Sequence, residues 1–191
     1  MQIAEPVARA VRQAVPTFEP VGLREAKKQV AVAQSIDLHD EQLGFLIKTA
    51  REKVEHDTGI IASTGSFVLA LDCWPYSEDF LKIRERPITS ITSIAYLDTA
   101  GASQTWSSAN YAIDTARNVI WRAYDVSWPD TRSTRNAVTV TFVAGYSTPL
   151  TVMQRFKQAM LLFIQSEWTG TRENEPAYEA LIASMMRNTY P

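Results

Sequence analysis

Three things are scarce in this 191-residue chain: cysteine, histidine and net charge. One cysteine, Cys73, excludes an internal disulfide framework and gives no start to a thiolate metal cluster. Phe67, Leu69, Leu71 and Cys73 alternate, so Cys73 is expected to be a small buried hydrophobe on one face of a strand. A net charge of -2 argues against a protein that binds nucleic acid by neutralising phosphates. No apolar run reaches the roughly 18 residues of a membrane-spanning helix. The start of the chain lacks a charged segment followed by an apolar core, so a soluble protein made inside the cell is expected.

Catalytic patterns are missing too. There is no phosphate loop and no dinucleotide fingerprint, and Gly145-Tyr146-Ser147 lacks the flanking glycines of a nucleophile elbow. His39 and His56 are the only histidines. Glu52 and His56 stand four apart, a spacing that can offer two metal ligands, but no third ligand is in register and an exposed polar face explains them equally. Asp72, Glu78 and Asp79 lie near turns, where carboxylates serve local ends, so a two-carboxylate hydrolase finds no pocket. The expectation is a non-enzyme without catalytic residues, metal or cofactor.

What is present is a change of period. Ile3, Val7, Ala10, Val11 and Ala14 recur at helical spacing, and Pro16 and Pro20 then separate this short arm, which is expected to order on a neighbour or stay mobile. Leu23, Ala26, Val30 and Ala33 form one stripe of a short helix with Glu25 near its start. Leu43, Leu46, Ile47, Ala50 and Val54 form the strongest stripe, with Asp37 or Asp40 as cap, Gly59 as stop, and Lys48/Glu52 and Arg51/Glu55 pairs on the wet side.

From Ser66 to Ala144 the period becomes two, predicting strands at 66–74, 80–84, 88–97, 103–106, 110–114, 118–122 and 137–144, with a hairpin turn at Asp98-Thr99-Ala100-Gly101. The segment 124–136 is expected to be a loop. Arg117, Arg122, Arg132 and Arg135 lie among Trp121, Tyr124 and Trp128, either as a base-stacking surface or as a charged loop anchored by its tryptophans. Pro149 is expected to open a helix that is apolar nearly all round: Val152, Phe156, Met160 and Phe163 on one face, widened by Leu161, Leu162 and Ile164, ending at Thr169-Gly170-Thr171. A last helix opens at Asn174-Glu175-Pro176 and carries Tyr178, Leu181, Ile182, Met185 and Met186 on one stripe. The fold class is therefore α+β, a small helical bundle with a β-rich antiparallel insertion between its second and third main helices. The expected divisions are an arm (1–21), the first part of the bundle (22–64), the insertion (65–146), and the second part with the C-terminal helix and tail (147–191).

Several segments together carry a likeness. Leu23-Arg24-Glu25-Ala26-Lys27, Glu55-His56-Asp57-Thr58-Gly59, Arg86-Pro87-Ile88, Asn110-Tyr111 with Asp114, Trp128-Pro129 with Arg132, and Asn136-Ala137-Val138 through Val143-Ala144-Gly145-Tyr146 stand in an order and spacing that resembles the head–tail connector (adaptor) proteins of tailed phages, over about residues 21–168. Gene transfer agents use similar connectors. The resemblance implies a homo-oligomeric ring of about twelve copies beneath the capsid portal. It further implies a ring that extends the DNA channel, lets double-stranded DNA pass without sequence specificity, and docks a stopper or head-completion protein. The location it implies is the virion's head–tail interface, after synthesis in the bacterial cytoplasm. By the same resemblance Tyr178, Leu181, Ile182, Met185, Met186, Arg187 and Tyr190 would grip the portal. The alternative from the tryptophan-rich insertion is a glycan- or ligand-binding β-module on a helical stalk.

Overall fold

The computed structural model describes residues 10–187. The chain divides into two compact units, Met1–Val15 with Gly65–Gly145, and Pro16–Thr64 with Tyr146–Pro191. The first is β-rich and the second helical, an α+β fold in which the β segment lies between the second and third helices in chain order.

The β unit holds two antiparallel sheets. The larger has the order β1 (Val11–Arg12), β2 (Gly65–Leu71), β8 (Val138–Ala144), β4 (Ile88–Leu97), β5 (Ser103–Thr105). The smaller joins β3 (Phe80–Lys82), β7 (Val119–Arg122) and β6 (Tyr111–Asp114). Period-2 patterning decides the larger sheet: Val138, Val140, Phe142 and Ala144 of β8 are buried, while the residues between them are only half-buried. Register sets Phe67 opposite Phe142 and Leu69 opposite Val140, and the Phe67 and Phe142 rings stack at 5.6 Å. The 98–101 hairpin turn closes on Asp98, whose Oδ1 accepts the N–H groups of Ala100 and Ala102, while Gly101 takes φ +88.

Two expectations for this unit are overturned. Val11 and Arg12 form a strand, not a helical turn, pairing with Val68 and Phe67; the rest of the helical expectation, before residue 10, lies outside the described residues. So short a segment has no helical hydrogen-bond ladder to lose, and the open edge of β2 supplies its backbone partners. Cys73 is exposed. Strand β2 stops at Leu71, where the Asp72 carboxylate accepts the Asn136 N–H at 2.8 Å, so the alternation ends before Cys73 and Trp74 turns inward instead.

The helical unit is built from α1 (Leu23–Gln29), α2 (Asp40–Thr58), α3 (Gln154–Thr169) and α4 (Glu175–Arg187). Leu43, Ile47, Ala50 and Val54 of α2 meet Phe156, Ala159, Met160 and Ile164 of α3 in one buried cluster. Helix α1 is shorter than its stripe suggests. Glu25 accepts the Gly22 N–H at 2.9 Å at its start, and it ends at Gln29 because Ala31 adopts φ +56. Gly59 and Gly170 close α2 and α3 in left-handed conformations, their N–H groups donating to Glu55 and Ser166.

Neither Asp37 nor Asp40 caps α2; His39 is the residue before it, and no side chain caps the end. Both carboxylates face the buried ammonium of Lys27 instead, Asp40 at 2.6 Å and Asp37 at 3.6 Å. Arg51 does pair with Glu55, at 3.0 Å, but not on the wet side: its side chain is buried and also binds Glu19 and Glu52. Helix α3 starts at Gln154 rather than Pro149. Residues 149–153 form a turn in which Val152 is buried and Leu150 exposed.

Candidate assembly surfaces

Helix α4 carries the C-terminal stripe, and most of that stripe faces its own unit. Tyr178 donates its hydroxyl to Asp57 Oδ2 at 2.7 Å, and Leu181 and Ile182 pack on the buried cluster. Met185 is 4% exposed, whereas Met186 is 48% exposed. Arg187 is the last residue of α4, and Tyr190 lies outside the described residues.

Asp57 also accepts from Lys53 Nζ at 2.6 Å, and His56 Nδ1 lies 3.2 Å from its other oxygen. Partial burial disfavours the ionised Asp57, but the hydrogen bonds from Lys53, Tyr178 and His56 together outweigh it and hold the carboxyl below its ordinary range. The Tyr178 phenol moves up, first through burial and then through its bond to the Asp57 carboxylate. Glu52 is engaged by Arg51 and His56 by Asp57, and among the described residues no group of three His, Cys, Asp or Glu side chains is arranged around a metal.

In the β unit the tryptophans form packing rather than a platform. Trp74, Trp106 and Trp128 are buried together, with ring centroids 4.8 Å apart for Trp74–Trp128 and 5.1 Å for Trp106–Trp128. The Trp128 indole donates to the Glu78 carbonyl at 2.9 Å, and the Arg122 guanidinium lies 5.7 Å from its ring. These contacts anchor the 124–136 loop from inside and take the faces of Trp74, Trp106 and Trp128 out of solvent. Trp121 and Tyr124 remain exposed.

Two of the four arginines are paired with carboxylates. Arg117 pairs with Asp114, Arg122 with Asp79, and Arg132 lies against Gly101. Arg135 is exposed. The carboxylates Asp72 and Asp79 are similarly taken up by the Asn136 N–H and by Arg122.

Two surface features escaped the sequence reading. In the helical unit, large exposed apolar side chains occur at Ile36, Leu38 and Phe45, and again at Leu150 and Met153. The available signal was that Leu38, in the turn before α2, and Phe45, within it, both fall off the Leu43/Ile47/Ala50/Val54 stripe.

No family model matches the chain, and no curated protein does. Solved structures do. A chain from the neck of an empty gene transfer agent particle, computed with C6 symmetry, shares 20% identity at a TM-score of 0.73, over 92% of this chain and 94% of that one. A chain from the virion of a native gene transfer agent particle shares 16% at a TM-score of 0.72, over 92% and 94%. A third, from the neck of a native particle computed with C12 symmetry, shares 18% at 0.68, over 92% and 93%. The match covers both the helical unit and the β-rich insertion, and the chain has the fold of chains found in gene transfer agent necks.

Proposed function

We propose that this chain is a structural neck protein, a head–tail connector that forms a ring beneath the capsid portal, extends the DNA channel and docks the stopper or tail components. The observation that carries this reading is the match along nearly the full length of both chains to components of assembled necks. A fragment-sized match would support only a shared motif. The role is one of assembly rather than catalysis, in a virion of a phage or gene transfer agent.

The wide apolar face of α3 is packed against the other helices of the unit, so the buried middle of that helix supports the unit. The portal contact is assigned to Met186 and Arg187 at the end of α4, a helix that Tyr178, Leu181, Ile182 and Met185 tie down, together with Tyr190, which lies outside the described residues. Double-stranded DNA passes without sequence recognition, in keeping with the mild negative charge of the chain.

The test is reconstitution. The purified chain is mixed with the portal from the same particle and imaged by electron microscopy. Rings seated on the portal support the reading, and bare portals at saturating chain concentration sink it.

A further inference from the structure

We propose that the two exposed apolar sets of the helical unit are the two halves of one head-to-tail contact, each occupied by the opposite set of a second copy of this chain. The inference rests on the ring reading above and names the surfaces that would close the ring.

The first set is apolar, with exposed carboxylates at its Leu38 end. Leu38 is 85% exposed and stands just before α2, and Phe45 is exposed on that helix with the Lys48 ammonium 5.9 Å from its ring. Glu41 is exposed between them, and the Asp37 side chain is largely exposed beside Leu38. The loop that carries Leu38 is held from below by Lys27, whose ammonium donates to the carbonyls of Gln34 and Ile36 and binds Asp40. A large apolar side chain is thus held out in water on a fixed loop, an arrangement that lowers the ordering cost of a contact.

The second set is apolar and basic. Leu150 is 88% exposed, Met153 is exposed at the head of α3, and Arg155 is exposed on its first turn. The turn is braced by Thr151, which donates both its N–H and its hydroxyl to the Thr148 carbonyl. No Asp or Glu occurs between Asp130 and Glu167, so this surface has no carboxylate of its own in sequence to neutralise Arg155.

Charge decides which pairing these sets make. Each set against itself, as in a two-fold dimer, would bring Glu41 toward Glu41 or Arg155 toward Arg155. Like charges facing across an interface are costly, whereas the carboxylate end of the first set, Asp37 and Glu41 beside Leu38, is complementary to Arg155 beside Leu150 and Met153. Two different patches on one subunit are what a heterologous contact requires, and such contacts close into rings when the rotation allows. Apart from Met186, the large exposed apolar side chains of this unit's described residues all fall in these two sets.

The experiment uses the full chain assembled on its portal, with Glu41→Arg, Arg155→Glu and the double variant, each checked by circular dichroism. Subunits per portal are counted by mass photometry. Each single reversal is expected to lower ring occupancy at least about tenfold, and the double variant, which restores opposite charges at every contact, to recover it. Full rings with both single variants would overturn this inference while leaving the ring reading intact. Loss in the singles without recovery in the double would also overturn it, and would assign these surfaces to the portal. Absence of wild-type rings would instead remove the ring reading itself.

Discussion

Tyr178 on α4 donates its hydroxyl to Asp57 near the end of α2, and this one bond joins the last helix to the strongest helix of the chain. Replacing Tyr178 with Phe keeps the ring and removes the bond. The expected loss is about 1 kcal/mol, more if Asp57 is left short of a partner, measured by urea unfolding. The bond also has a pH signature. Asp57 is held below its ordinary value, so the folded state binds its proton less readily than the unfolded chain. Its stabilising effect is therefore complete above the ordinary carboxyl range and declines as pH falls below about 4. Tyr178→Phe should flatten that acid-side decline, and an unchanged profile would show that Lys53 and His56 alone set it.

Arg51 is expected to be among the most sensitive positions of the helical unit. Its buried guanidinium binds Glu19, Glu52 and Glu55, and Glu55 also accepts the Ala62 N–H at 2.9 Å. Removing the cation with Arg51→Ala takes the counter-charge from the largely buried Glu55 carboxylate and should cost about 3 kcal/mol or more. Arg51→Lys should recover little, since one ammonium cannot reproduce the fork of contacts. Chemical denaturation of the two variants distinguishes these outcomes.

Lys27 acts as an internal cation for the segment that leads into α2. Lys27→Met should cost about 2 kcal/mol and speed amide hydrogen exchange across residues 34–40 more than across α3. Equal protection in wild type and variant would mean that the loop is held by other contacts.

Trp128 should matter through packing. It stacks on Trp74 and Trp106, so Trp128→Ala should destabilise the β unit by about 3 kcal/mol or more and weaken the near-ultraviolet circular dichroism. Little effect on either would remove the account of the 124–136 loop as anchored from inside.

Cys73 is exposed, so a thiol reagent should label one equivalent of the native chain without denaturant. Slow labelling that follows global unfolding would restore a buried cysteine.

Local pattern carried much of the fold. The alternation of Val138, Val140, Phe142 and Ala144 and the 3.6-residue stripe of Leu43, Ile47, Ala50 and Val54 need only the geometry of their own backbone to be recognised. The turns at Asp98–Gly101, Gly59 and Gly170 were legible for the same reason, because few residues tolerate a positive φ. Burial was not legible wherever it depended on a distant partner. Arg51 is buried because Glu19 reaches it from before α1, and Asp37 and Asp40 serve Lys27 because the loop folds back over α1. Met185 is inside and Met186 outside although they are adjacent and equally apolar.

The assembly surfaces follow the same division. By itself the sequence determined the main helices, most of the strands and the place where one period gives way to the other, since these are properties of neighbouring residues. Only the tertiary structure decided which apolar residues were left over, because that is known only after every other apolar face has found its partner. Leu38 and Leu150 are such residues, and the contact proposed for them is what the packing of this unit leaves unsatisfied.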